Sequence, residues 1–162
     1  MEADMNTTTK NSTKRTRGEG GFVLVGILVA LGALAGGHLL MMRRAPLPAA
    51  SEFGLGPRMS GGGLYTATLM PTEPLRPRKL QTVQVAIADA AGEPIQDAQI
   101  GIDGGMPQHG HGLPTRPRVT KQVGNGIYEI EGVRFNMGGW WEFKVTIATD
   151  RGEDTVTFNL NL

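Results

Sequence analysis

The residues able to do chemistry gather in one stretch, Gly104-Gly105-Met106-Pro107-Gln108-His109-Gly110-His111-Gly112-Leu113-Pro114, which holds a methionine and two of the three histidines. Glycine and proline on both sides exclude regular structure and predict a loop. In locally extended backbone His109 and His111 share a face, and the flanking glycines let the chain fold back far enough to turn both imidazoles toward one ion. The Met106 thioether is a third candidate donor. A thioether with imidazoles and no thiolate suits copper, because the soft sulfur favours Cu(I) and imidazole accepts either oxidation state. Three donors from one short loop leave a shell to be completed by Met137, Met59, Met70 or a partner. The competing reading is a structural loop, with the imidazoles hydrogen-bonded to neighbouring carbonyls and Met106 closing the end of a core.

Other chemistry is excluded or weak. The chain has no cysteine, so disulfides, thiolate nucleophiles and thiolate zinc sites are absent. It offers no Ser-His-acid arrangement with supporting motifs, no phosphate-binding glycine loop opening a helix, and no carboxylate pair in a recognisable site, so no enzyme and no small-molecule substrate is expected. Trp140-Trp141 on a strand would point opposite ways, one to a core and one to a surface or rim. Of the 16 basic residues, Lys10, Lys14, Arg15, Arg17, Arg43 and Arg44 precede residue 45, and the remainder of the chain carries a net charge of −2. That balance excludes a nucleic-acid footprint.

The elements that must position the loop are strands. Val83, Val85 and Ile87 alternate with polar or small neighbours, as do Ala98, Ile100 and Ile102. Trp141, Phe143, Val145 and Ile147 alternate likewise, and so do Val156, Phe158, Leu160 and Leu162. Gly124-Asn125-Gly126 between two such runs is hairpin chemistry, since Asn and Gly tolerate positive φ. About seven strands with no helical pattern after Met42 predict an all-β fold, an immunoglobulin-like antiparallel β-sandwich over residues 64–162.

Ahead of it, residues 1–21 read as a polar cytoplasmic tail. Residues 22–42, FVLVGILVALGALAGGHLLMM, carry no formal charge and are long enough for one transmembrane helix or signal anchor. Four basic residues before this run and two after it place the N-terminus in the cytoplasm and the C-terminal domain in the periplasm, single-pass at the bacterial cytoplasmic membrane. Ala33-Leu34-Ala35 before Gly36 also satisfies the small-x-small rule of signal peptidase, which would release a secreted periplasmic domain. Residues 43–63, rich in Ala, Pro and Gly, read as a tether with a flexible span of roughly 25 Å. His38, one turn from the end of the apolar run, is expected to reach the interface rather than to act as a site.

MPQHGHGLP at residues 106–114, Pro117-Arg118-Val119-Thr120, Gly126-Ile127-Tyr128 and the block Gly132 to Glu142 (GVRFNMGGWWE) together resemble the FixH/YtkA-like family. The resemblance spans roughly residues 80–162, and Gly138 departs from the proline common in that position. It implies a membrane-anchored immunoglobulin-like domain outside the cytoplasm. In part of the family it also implies a role in assembly of, or copper supply to, haem-copper oxidases, beside copper-trafficking partners. Met106, His109, His111 and Met137 are the positions carried over as candidate metal ligands, and no catalytic residue comes with them. Two functions are thus expected to compete: a copper-binding or copper-handing accessory protein, and a metal-free sandwich that docks a membrane-protein partner.

Overall fold

The computed structural model describes residues 45–162. The expected tail and membrane segment, residues 1–21 and 22–42, lie outside the described residues. Among the described residues no helix is long and apolar enough to cross a membrane.

Alternation of apolar and polar side chains gives each strand one dry face, and two such faces close on each other. Nine strands form among the described residues: β1 (Arg58–Met59), β2 (Tyr65–Pro71), β3 (Leu80–Asp89), β4 (Gln99–Met106), β5 (His111–Gly112), β6 (Arg118–Gly124), β7 (Ile127–Arg134), β8 (Trp140–Thr149) and β9 (Gly152–Asn161). They build two antiparallel sheets, ordered β1-β2-β3-β7-β6 and β5-β4-β8-β9. The all-β expectation therefore holds, with two short strands, β1 and β5, beyond the expected seven.

The core lies between the sheets. Val83, Val85 and Ile87 of β3 face Phe143, Val145 and Ile147 of β8, joined by Val156, Phe158 and Leu160 of β9, all buried. Phe135 packs edge-on to Trp141 at 5.2 Å between ring centres, a favoured aromatic geometry. Ile100 and Ile102 are only partly buried against this core, because β4 lies near the edge of its sheet. Trp141 enters the core and Trp140 lies on the opposite face, as alternation predicts, but Trp140 is buried rather than at a surface, its indole N–H donating to Asn159 Oδ1 at 2.9 Å.

Residues 45–63 also differ from the free tether expected. Phe53 bridges Asn159, Gly54 N donates to Asn159 O at 3.0 Å, Leu69 N donates to Leu55 O at 2.6 Å, and β1 adds to the edge of β2. Composition suggested a linker because the segment lacks periodicity. Edge strands with unpaired N–H and C=O groups nevertheless bind any neighbouring chain that can reach them. Arg58, whose guanidinium donates to the Glu52 carbonyl, helps hold the segment's own turn.

At the end of the sandwich where β3 stops, the Asp89 carboxylate accepts from Ala91 N and Glu93 N, at 2.9 and 3.0 Å, and pairs with Arg151 of the β8–β9 turn. One side chain thus joins a connection of each sheet. Tyr65 works in parallel there, donating to Gly152 O at 2.6 Å.

Candidate functional site

The histidine stretch is the tip of a narrow hairpin between β4 and β5, with Met106 opposite His111 and Gly105 opposite Gly112. His109 N and Gly110 N both donate to Met106 O, at 3.0 and 2.9 Å, which rolls the four tip residues into a tight turn. The glycines that made the sequence look irregular are what let the hairpin form. A Cβ on Gly104 would stand 2.6 Å from Glu142 O, and one on Gly105 would stand 2.7 Å from His111 O. Both are closer than a side chain tolerates, so β4 reaches β5 and β8 by omitting side chains.

The tip separates the expected residues into two groups. His109 and His111 are exposed, with rings parallel to within 6° and centres 6.1 Å apart. The rings are stacked, and because imidazole nitrogens donate through lone pairs in the ring plane, one ion shared by both requires the rings to turn out of this arrangement. Met106 goes the other way. It is 2% exposed, inside the core, and its ε-methyl would stand 3.1 Å from a Cβ on Gly139. As folded it offers no sulfur to the pair of imidazoles. The reason is strand register: Met106 and Gly104 share the inward face of β4, the parity that alternation imposes.

Met137 stands on the β7–β8 connection, 37% exposed, its carbonyl accepting the Trp141 indole N–H at 3.0 Å. Beside the tip is a shallow depression of about 330 Å³, whose walls include His111, Asp103, Glu142 and Lys144. Glu142 and Lys144 are paired there at 2.9 Å, and the Asp103 carboxylate accepts from Gly104 N at 2.7 Å. Among the described residues no group of three or more His, Asp or Glu side chains is arranged to hold a metal ion. Two imidazoles are therefore what the tip itself presents.

Sequence reasoning missed a larger apolar groove of about 670 Å³ between the 53–55 segment, the start of the β2–β3 connection and the end of β9, with Phe53, Leu55, Pro71, Pro74, Leu75 and Leu160 among its walls. Its signal was in the sequence, since Phe53 and Leu55 are apolar residues within a stretch read as tether. Only the docking of that stretch on β9 creates the groove.

A YtkA-like family model matches residues 61–146, just over half of the chain. The chain belongs to the YtkA-like family. All four candidate ligand positions of this YtkA-like protein fall inside the matched region, which runs from just before β2 into β8. No curated protein matches the chain. Among solved structures, the ZirS C-terminal domain is similar at 13% identity with a TM-score of 0.38, over 100% of this chain and 97% of that one.

Proposed function

We propose that this YtkA-like protein is a non-enzymatic accessory factor, anchored by residues 22–42 at the outer side of the bacterial cytoplasmic membrane. In this reading it passes copper through His109 and His111 toward a haem-copper oxidase or a copper-trafficking partner. The observation that carries the reading is the pair of exposed, neighbouring imidazoles on a hairpin tip, free to turn toward one ion. Two neutral imidazoles bind copper without burying it, and a shell left open on the solvent side can be completed by an acceptor's own ligands. Met137, exposed on another connection, is the candidate further donor from this chain. Met106 acts from behind the site, filling the space against Gly139 and fixing the base of the hairpin.

The strand order supports the finer fold reading as well. Setting aside β1 and β5, β2-β3-β7-β6 and β4-β8-β9 correspond to the ABED and CFG sheets of an immunoglobulin-like domain.

A second reading is favoured by the burial of Met106. A tip with only two imidazoles also suits a metal-free module, whose hairpin and neighbouring Asp103, Glu142 and Lys144 dock a membrane-protein partner. Competition titration with Cu(I) and Cu(II) against a chelator, on residues 45–162, separates the two. Submicromolar binding lost in His109→Ala/His111→Ala supports copper handling. No competitive binding in either oxidation state sinks it and leaves the docking module.

A further inference from the structure

The charges of the sandwich are sorted by end. Around the β3–β4 connection and the β8–β9 turn stand Asp89, Glu93, Asp97, Asp150, Glu153 and Asp154, with Arg151 the one basic residue among them. At the opposite end the β2–β3 connection carries Arg76, Arg78 and Lys79 against Glu73, and Arg134 closes β7 beside Leu80, its register partner. Lys79 pairs with Glu73, whereas Arg76, Arg78 and Arg134 are exposed and make no ion pair among the described residues.

Leu47 and Leu80, each 62% exposed, and Met137, 37%, lie at this end, as Met59, Leu64 and Val123 do at the acidic end, so charge and attachment rather than apolar exposure distinguish the two. The connections of the basic end are bonded to one another. Arg78 N donates to Phe135 O at 2.7 Å, and Gly139 exchanges backbone hydrogen bonds with the C-terminal Leu162. The chain also enters the sandwich here, since the Ala45 carbonyl accepts from Gln108 Nε2 at 3.5 Å, beside the histidine tip. From Met42, the last residue of the apolar run, to Ala45 is three residues, a reach of about 10 Å at most.

We propose that this basic, leucine-bearing end rests on the headgroups of an anionic bilayer, with Arg76, Arg78 and Arg134 against lipid phosphates. Leu47 and Leu80 then lie at the interface and the acidic end points away. The inference rests on residues 22–42 being a retained membrane anchor. Charge and attachment agree: arginines strengthen binding to an anionic surface by roughly fivefold each, and a short connection holds them within that field. Carboxylates clustered at the far end are repelled by the same surface, which fixes orientation as well as proximity. The histidine tip is thereby held at the height of a membrane protein's outer loops.

The absence of cysteine makes the test clean, because Leu80→Cys and Glu153→Cys each supply one labelling site in the full chain. Each variant, carrying a fluorophore and reconstituted into phosphatidylglycerol-rich or pure phosphatidylcholine vesicles, is probed by acrylamide quenching and by an alkaline carbonate wash. The label at 80 should be quenched at least threefold less than the label at 153 in phosphatidylglycerol vesicles. That contrast should shrink in phosphatidylcholine and in Arg76→Gln/Arg78→Gln/Arg134→Gln. Protein that survives the wash but is quenched equally at both positions overturns the orientation and leaves the anchor standing. Protein removed by the wash overturns the anchor, and the orientation with it.

Discussion

The indole N–H of Trp141 donates to the Met137 carbonyl at 3.0 Å, so a fully buried core residue of β8 also holds the backbone of the β7–β8 connection. Trp141→Phe keeps most of the ring but leaves that carbonyl without its donor. It should cost about 1–3 kcal/mol, read from urea midpoints, and should raise amide exchange at residues 136–139. Trp141→Ala should cost about 3–5 kcal/mol.

Met106 and the histidines should separate cleanly by experiment. Met106→Leu conserves volume and should cost under about 1.5 kcal/mol, whereas Met106→Ala empties a core position and should cost about 2–5 kcal/mol. If the imidazoles alone carry copper, Met106→Leu leaves the competition titration unchanged while His109→Ala/His111→Ala abolishes binding. A tenfold loss in Met106→Leu would show that the hairpin opens to bring the thioether out.

Acid stability should depend on two carboxylates. Hydrogen bonding to the Arg151 guanidinium, then to Glu93 N, holds Asp89 below the usual carboxylate range. Asp154 is lowered chiefly by its hydrogen bond to Ser60, with Thr155, Leu64 and Gly62 N–H groups adding to it. A folded pKa below the unfolded one stabilises above the unfolded value, near about 4, and the benefit disappears as pH falls through the folded pKa. Denaturant midpoints of the wild type should therefore drop below pH 4, and Asp89→Asn or Asp154→Asn should make that limb shallower while lowering the plateau at pH 7.

Residues 45–59 should matter to stability. Deleting them removes the Phe53 bridge, the Gly54 and Leu55 backbone bonds and β1, and exposes Leu160 and Phe158 at the sheet edge. The shortened domain should unfold at lower urea and aggregate more readily, measured by midpoint and light scattering. A free tether would give no change.

Gly126 should resist substitution. Its φ is +67°, and a Cβ there would stand 2.7 Å from Ile87 O and 2.9 Å from Pro94 Cβ. Gly126→Ala should cost more than about 1 kcal/mol, visible as a lowered Tm, whereas Gly92→Ala, with nothing within 4 Å of its Cβ, is strained by φ alone and should cost less.

By itself the sequence determined the strands and their inward faces. Alternation is a property of each strand alone, so Val83, Val85 and Ile87, or Phe143, Val145 and Ile147, declare which face is dry before any partner is known. The Gly124-Asn125-Gly126 turn was legible for the same local reason, whereas the histidine stretch, read as a loop, turned out to be a hairpin pairing β4 with β5. Tertiary structure alone decided what no local pattern encodes. Met106 was read as a ligand because it is near His109 in sequence, but β4 runs on to include it, and strand parity then sends it inward. Trp140 became buried although it lies on the face opposite Trp141. Residues 45–63 looked like linker because they lack periodicity, and they dock because β2 and β9 offer unpaired edges. The separation of acidic from basic ends arises between residues far apart in the chain, where the order of strands, not their composition, sets which charges become neighbours.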